Sequence, residues 1–203
     1  MPYVIGITGN IACGKTSIGQ MLVQLGAERY IDADLLVHHL YERDQPIAVR
    51  VADYFGPQVV APDGSIDRKA LGSIVFHDSE AMKRLEQIVH PAVHTAIQVE
   101  LDKVSPQGIA ILDAVKLLEG GSANFCQAKW LVVCSEEQQL QRLMQRNVIS
   151  LQEAQARIKA QPGTEGKLNI VDEVIVNSGT SEATYQQVAA AFKRFCLKFA
   201  IHS

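Results

Sequence analysis

Long apolar runs and a large net charge are both missing from this sequence. No stretch of apolar residues approaches the roughly 20 that a bilayer-spanning helix needs, so we expect no membrane association. The formal net charge of −3 argues against a protein whose main partner is nucleic acid. Hydrophobic residues at 47% and charged residues at 20% are instead typical of a globular enzyme.

Cysteine is also scarce, and its positions favour free thiols over disulfides or a metal site. No two cysteines form a CxxC pair, and the four stand at Cys13, Cys126, Cys134 and Cys196. The spacing therefore gives no sign of a zinc site or a disulfide framework. The opening MPYVIGITG lacks a basic segment followed by a long apolar stretch, so we expect no secretion signal. Free thiols in a reducing cytoplasm are the expected state and location.

Strand patterns and helical patterns alternate along the chain. Short apolar or β-branched segments predict strands over 3–8, 28–32, 108–114 and 129–135, and a last strand with its turn over 172–179. A helical pattern over 15–25 separates the first two strands, which is the βαβ signature of a parallel sheet. We therefore predict a three-layer α/β fold with a central parallel sheet of about five strands.

The middle of the chain, 46–104, is helical almost throughout and predicts an insertion between the second and third strands. Ser79 is the predicted N-cap of its last helix, and Pro91 is expected to kink that helix. The pattern over 136–169 predicts two further helices separated by a flexible break. A closing amphipathic helix follows, with Ser181 as its predicted cap.

Residues 9–16, GNIACGKT, fit the phosphate-binding pattern G-x-x-x-x-G-K-[ST] at every fixed position. The glycines let the backbone wrap closely, so that successive N–H groups face phosphate oxygens. Lys15 is predicted to bridge the outer phosphates, and the hydroxyl group of Thr16 to ligate Mg²⁺. The predicted strand before the loop and helix after it disfavour a chance match. We expect nucleotide contacts from Gly9, Asn10, Ile11, Ala12, Cys13, Gly14, Lys15, Thr16 and Ser17.

Two residues depart from the more common glycine- and serine-rich version of this loop. Backbone N–H groups do most of the binding, so Ala12 is expected to be tolerated provided that its φ is negative. Cys13 is expected to be a small filler. A reactive thiol with a low pKa at a helix start is the alternative for Cys13.

The guanine-reading pattern N-K-x-D is absent from the sequence, which excludes an ordinary GTPase. The second predicted strand ends in IDAD, 31–34. The short stretch of chain between the phosphate-binding loop and this strand end is typical of small-molecule kinases. A carboxylate at the carboxyl end of a parallel strand stands where ligands bind and suits deprotonation of an attacking hydroxyl group. Asp34 is the candidate base, with helix capping as the alternative, and Asp32 is assigned to structure or metal.

Further segments accompany the loop across almost the whole chain in a consistent order. They are DGSIDRKAL (63–71), VFHD (75–78), LEQIVHP (85–91), QRLMQR (141–146), RIKAQ (157–161) and DEVIVNSG (172–179). With these segments the sequence resembles the dephospho-CoA kinase family of P-loop kinases. The resemblance implies transfer of the γ-phosphate of ATP, with Mg²⁺, to the ribose 3′-hydroxyl group of dephospho-CoA.

The resemblance also implies roles for residues on the acceptor side. Asp34 corresponds to the family's catalytic base. Arg68 and His90 correspond to acceptor contacts, and a solvated helix-start arginine is the ordinary alternative for Arg68. His90 and His94 lie four residues apart, which is the spacing of a metal pair. With Pro91 between them and no third ligand, a hydrogen-bonding role for His90 in the acceptor site or the core is favoured.

Two arginines follow the fourth predicted strand on one helix face. Arg142 and Arg146 are spaced i, i+4, in the region that forms the family's lid over ATP. The resemblance implies that they neutralise charge on the transferring phosphoryl group, Arg142 above all as a catalytic residue. Asn177 resembles the family residue near the adenine ring, and a turn asparagine is its plain alternative.

One segment departs from the family pattern. Where PLLFE is expected, this chain has ILDAVKLLEGG, with Val115 in the proline position and Lys116 in the following leucine position. Lys116 is expected to add positive charge to the acceptor site. Asp113, which closes an apolar strand, is a candidate to hold Mg²⁺ through water.

The resemblance divides the chain into a nucleotide-binding core at 1–34 and 108–203, a helical acceptor domain at 35–107 and a lid at 142–169. A monomer or small homo-oligomer is expected. A P-loop kinase with a nucleoside monophosphate or sugar acceptor is one alternative, which DGSIDR and VHP disfavour. A non-catalytic nucleotide sensor is another, and the joint presence of Lys15, Thr16 and Asp34 argues against it.

Overall fold

Five strands form one sheet in this computed structural model, which describes residues 1–201. The strands lie in the order β2-β3-β1-β4-β5. β1 pairs in parallel with β3 and with β4, and β4 pairs in parallel with β5. This topology confirms the predicted α/β fold with a parallel sheet of about five strands. The bounds are β1 Tyr3–Thr8, β2 Arg29–Asp32, β3 Ile109–Asp113, β4 Ala128–Val133 and β5 Glu173–Val176.

The central strands are buried because helices cover both faces of a parallel sheet. Ile5 on β1 lies opposite Ile111 on β3, and both side chains are fully buried. Trp130 on β4 is buried in the same core. The unbroken apolar pattern of these strands is therefore the sequence signature of their position in the middle of the sheet.

The sheet belongs to a compact unit formed by residues 1–31 and the described chain from 101 onward. Ile18 and Leu22 on the first helix and Phe192 on the last helix pack in its core. Where the pattern over 136–169 predicted two helices, the structure has three, the third being a single turn. The helices of this unit are α1 Lys15–Gln24, α6 Glu136–Asn147, α7 Leu151–Lys159, α8 Glu165–Leu168 and α9 Ser181–Lys198.

A second compact unit, Asp32–Glu100, lies in the chain between β2 and β3. It confirms the predicted helical insertion. Around the turn at Asp63 and Gly64, a single antiparallel bridge joins Val60 to Ile66. Its helices are α2 Ala33–Leu40, α3 Pro46–Phe55, α4 Arg68–Val75 and α5 Ser79–Leu101. Throughout residues 1–201, no helix is both long enough and apolar enough to cross a membrane.

Two of the predicted helix caps are wrong by one residue. Asp78, and not Ser79, caps α5. Its Oδ1 atom accepts hydrogen bonds from Glu80 N at 2.9 Å and from Ala81 N at 3.1 Å. Thr180, and not Ser181, caps α9 by accepting from Ala183 N at 3.1 Å. In each case the side chain of the residue immediately before the helix reaches N–H groups of the first turn that have no partner within the helix. α5 runs unbroken through Pro91.

Candidate active site

The phosphate-binding loop turns between β1 and α1 in a backbone conformation that requires its two fixed glycines. Gly9 and Gly14 have φ values of 153° and 96°, which L-residues rarely adopt. A Cβ atom at Gly9 would collide with the carbonyl oxygen of Val132, and one at Gly14 with the side-chain amide of Asn177. Both glycines of the sequence pattern are therefore dictated by conformation and by space.

The backbone at Ala12 does not have the negative φ that we set as the condition for an alanine at this position. Its φ is +58°, in the left-handed region, and not negative. This conformation costs an L-residue about 1–2 kcal/mol, because Cβ approaches the following carbonyl oxygen. Such strain persists only where the surroundings fix it. The loop must therefore be held by other parts of the structure.

The start of α1 is arranged for an anion. Gly14 is the N-cap residue and provides no side-chain hydrogen bond, so the first-turn N–H groups remain for a ligand. Lys15 folds over the loop, and its Nζ donates to the carbonyl oxygen of Gly9 at 3.2 Å. The side chains of Thr16 and Ser17 are exposed at the same end of the helix.

A cavity of about 250 Å³ opens at this helix start. Its lining side chains include three cations and, among the described residues, no carboxylate. The lining consists of Ala12, Gly14, Lys15, Thr16, Ser17, Arg142 and Arg146. Both arginines predicted to face the nucleotide therefore lie at the loop. Such a concentration of positive charge suits a polyphosphate.

Arg142 and Asn177 hold the carbonyl oxygen of Cys13. Arg142 Nη1 donates to it at 3.3 Å, and Asn177 Nδ2 donates to it at 2.9 Å. Thr184 Oγ1 on α9 in turn donates to Asn177 Oδ1 at 3.1 Å, and both of these side chains are buried. Asn177 thus supports the loop directly, a contact that its position in a turn did not reveal. Its predicted place near an adenine ring stays a prediction.

The thiol group of Cys13 is buried at 1% exposure. Burial raises its pKa to about 11, although the positive charge of Lys15 opposes the shift. At neutral pH the group is a protonated thiol. This agrees with a filler role and argues against the alternative of a reactive thiolate.

Two glutamine side chains bind the peptide groups of Ile11. Gln161 Oε1 accepts from Ile11 N at 2.7 Å, and Gln139 Nε2 donates to Ile11 O at 3.2 Å. Asn10 Nδ2 also donates to the carbonyl oxygen of Pro162 at 3.4 Å. Sequence reasoning did not assign a role to either glutamine. The only signal was that Gln161 ends the RIKAQ segment.

Asp113 is the last residue of β3, as predicted, and is buried at 4% exposure. The hydroxyl group of Tyr30 on β2 donates to its Oδ2 atom at 2.6 Å, which fixes the carboxylate. Lys116 lies exposed in the turn that follows β3. The same turn is joined to β1, because Thr8 Oγ1 donates to the carbonyl oxygen of Val115 at 3.0 Å.

Asp32 and Asp34 lie at the start of the second compact unit, residues 32–100, and only Asp32 caps a helix. Asp32 caps α2, because its Oδ1 atom accepts from Leu35 N at 3.0 Å. The structural role considered for Asp32 is confirmed, and the capping alternative for Asp34 is wrong. Asp34 lies exposed in the first turn of α2.

Arg68 is the first residue of α4, and its Nη1 atom contacts the imidazole of His38. Partial burial and the Arg68 charge lower the pKa of His38, while the nearby Asp32 and Asp34 oppose the shift. His38 therefore links α2 to α4 within this unit, which the sequence did not indicate. His90 is half-buried on α5, and its ring stacks with that of His94 at 6.3 Å between centroids.

A strand, a glycine loop and a helix that form an anion site on a five-stranded parallel sheet define a P-loop protein. Two arginines of α6, Arg142 and Arg146, line the cavity beside that loop. Cations in this position are typical of phosphotransferases of the kinase class. The family model for dephospho-CoA kinase matches residues 3–183. The chain belongs to the dephospho-CoA kinase family, which confirms the resemblance seen in the sequence.

Individual relatives agree with this assignment. A dephospho-CoA kinase from Symbiobacterium thermophilum is 41% identical over 195 residues, which are 95% of this chain and 81% of that protein. A second, from Bacillus cereus, is 38% identical over 197 residues, which are 96% of this chain and 98% of that protein. A solved structure from Thermus thermophilus matches with a TM-score of 0.81 at 31% identity, over 96% of this chain and 97% of that chain.

We predict that Asn177→Leu weakens ATP binding roughly tenfold or more, which corresponds to the loss of about one hydrogen bond. The substitution keeps most of the volume but removes the donor to the Cys13 carbonyl oxygen. Thr184→Val leaves that donor in place and should have a smaller effect. Calorimetric titration with ATP on folded variants measures both. Equal affinities of Asn177→Leu and the unsubstituted protein would contradict the support role.

Proposed function

We propose that the chain transfers the γ-phosphoryl group of ATP to the ribose 3′-hydroxyl group of dephospho-CoA, giving coenzyme A and ADP. The observation that carries the proposal is the cavity at the loop, whose three cations and exposed helix start suit a triphosphate. Membership of the dephospho-CoA kinase family supports the identity of the acceptor. The four free thiols are consistent with action in the cytoplasm.

The donor side is assigned to the sheet unit. Within residues 9–17, the N–H groups of Ile11 and Cys13 already donate to Gln161 Oε1 and to the carbonyl oxygen of Asn10. The remaining backbone N–H groups of this stretch bind the phosphates, and Lys15 bridges the outer ones. Arg142 and Arg146 neutralise charge that builds up as the phosphoryl group transfers. The nucleotide-binding core keeps the bounds expected from the resemblance, 1–34 and 108–203, with 142–169 as its lid, whereas the compact unit that contains the sheet consists of 1–31 and the described chain from 101 onward.

The acceptor side is assigned to residues 35–107, with Arg68 and His90 as contacts and Lys116 as an added positive charge. Support for Arg68 is its exposed position at the start of α4, where a guanidinium group can bind a phosphate in a forked geometry. Asp34 accepts the proton of the acceptor hydroxyl group. The hydroxyl oxygen then bonds to the γ-phosphorus, the bond to the bridging oxygen breaks, and ADP leaves.

Magnesium fits the oxygen groups at the loop. Within the described part of the chain, no group of three or more histidine, cysteine or acidic side chains could hold a metal ion. Mg²⁺ in kinases needs only one or two protein oxygens, because waters and substrate phosphates complete its shell. Thr16 would hold it directly, and Asp113 through water. When bound, Mg²⁺ neutralises charge on the β- and γ-phosphate oxygens.

Asp113→Asn tests the metal assignment. The substitution keeps the shape of the side chain and removes its charge, so Mg²⁺-dependent turnover should fall severely and require more Mg²⁺ for half-maximal rate. Initial rates over a magnesium titration provide the measurement. Near-normal turnover with an unchanged magnesium dependence would discard the assignment.

Asp34→Asn tests the assignment of the base. Because the amide cannot accept the proton, kcat should fall by roughly two orders of magnitude or more, while the affinity for ATP stays nearly intact. Steady-state rates and ATP titration separate the two quantities. Asp32→Asn is the neighbouring control and should leave both kcat and stability nearly unchanged, because asparagine keeps the Oδ1 acceptor that caps α2. A loss of ATP binding in Asp34→Asn would assign that residue to the metal or the fold.

The reaction itself is tested by an ADP-release assay with dephospho-CoA, adenosine and AMP as separate acceptors. Turnover with dephospho-CoA alone is the expected result. Preferred turnover with AMP or adenosine would favour a different small-molecule kinase. ATP binding without turnover of any acceptor would favour a nucleotide sensor.

A further inference from the structure

The peptide groups on either side of the strained residue Ala12 are held from outside the loop. Ile11 precedes it, and its N–H and C=O groups are bound by Gln161 and Gln139. Cys13 follows it, and its carbonyl oxygen is bound by Arg142 and Asn177. A left-handed alanine is stable only where such contacts fix it.

Gln161 differs from the other three residues because it lies beyond α7, in the region between α7 and α8. Its 2.7 Å hydrogen bond to Ile11 N joins positions 150 residues apart. The adjacent Pro162 adds a second bond to the loop, accepted from Asn10 Nδ2 at 3.4 Å. We call residues 161–168 the docking segment.

The far end of the docking segment is fixed to the turn after β3. Lys167 Nζ lies 3.4 Å from Glu119 Oε1, and the lysine side chain is only 10% exposed. The Glu119 side chain is 49% exposed, so solvent screens the pair in part, but loss of Glu119 would leave a mostly buried ammonium group without this partner. The pair therefore favours the seated position of the segment modestly. The segment therefore rests on the phosphate loop at one end and on the β3 turn at the other.

We propose that Gln161 is a positioning residue that couples the seating of the docking segment to the conformation of the phosphate loop. Its carboxamide oxygen fixes the Ile11 N–H group, which helps to hold the left-handed turn at Ala12 and presents the remaining loop amides to phosphate. Since the two events share one hydrogen bond, ATP binding and seating of the segment favour each other. This inference rests on the proposed use of ATP.

The kinetic test compares Gln161→Leu with Gln155→Leu, a matched control on the exposed side of α7. Gln161→Leu should raise the KM for ATP about tenfold and leave the KM for dephospho-CoA and the melting temperature nearly unchanged. Gln155→Leu should change none of these. If Gln161→Leu lowered kcat and the melting temperature and raised both KM values together, the role would be merely structural and the proposal would be overturned.

A second test needs no turnover. In nucleotide-free protein the Ile11 amide should exchange its hydrogen faster in Gln161→Leu than in the unsubstituted chain or in Gln155→Leu. Gln161→Glu retains an acceptor oxygen and should restore slow exchange. ATP should slow exchange over 161–168 in the unsubstituted chain and have less effect in Gln161→Leu. Identical exchange at Ile11 in all variants would overturn the proposal.

Failure of this inference and failure of the proposed function give different results. If the unsubstituted chain binds ATP but phosphorylates no acceptor, the function is wrong, while the exchange measurement still decides the role of Gln161. If dephospho-CoA is phosphorylated and Gln161→Leu behaves like Gln155→Leu, the function stands and the coupling is wrong.

Discussion

The site depends on one short stretch of backbone that is unfavourable by itself. At Ala12 the chain turns through a left-handed conformation, which costs an L-residue free energy. Side chains from α6, from the segment after α7 and from the end of β5 bind the flanking peptide groups. The phosphate cradle is therefore a product of the assembled sheet unit and is not a property of the eight-residue pattern.

Arg142 connects the support of the loop to its chemistry. Its guanidinium group donates to Cys13 O and to Asn177 O, and the same side chain lines the cationic cavity. A planar group with five donors can hold a carbonyl oxygen with one edge and retain donors for a phosphate. A lysine at this position would have neither the reach nor the fixed fork. The arrangement explains why an arginine suits both tasks.

The elements that could be predicted from the sequence are those fixed by local residues. Apolar runs gave the five strands, and Gly9 and Gly14 gave the loop, because these signals lie within a few positions. The condition set for Ala12, a negative φ, is not met, and the side chains that bind its neighbouring peptide groups come from residues far along the chain. The caps of α5 and α9 were misplaced because two capable side chains stand next to each other. The partners of Ile11 were missed for a related reason, since the place of Gln161 at the end of RIKAQ does not indicate that it contacts a residue 150 positions away.

The buried Cys13 thiol has a consequence for inhibitor design. A cysteine within a nucleotide-binding loop is an obvious target for electrophilic warheads, which react with thiolates. Burial raises the pKa of this cysteine to about 11, and its sulfur atom lies close to Gly9. A covalent ligand directed at it would meet a neutral, enclosed sulfur atom, so selectivity at this pocket has to come from non-covalent recognition of its cations.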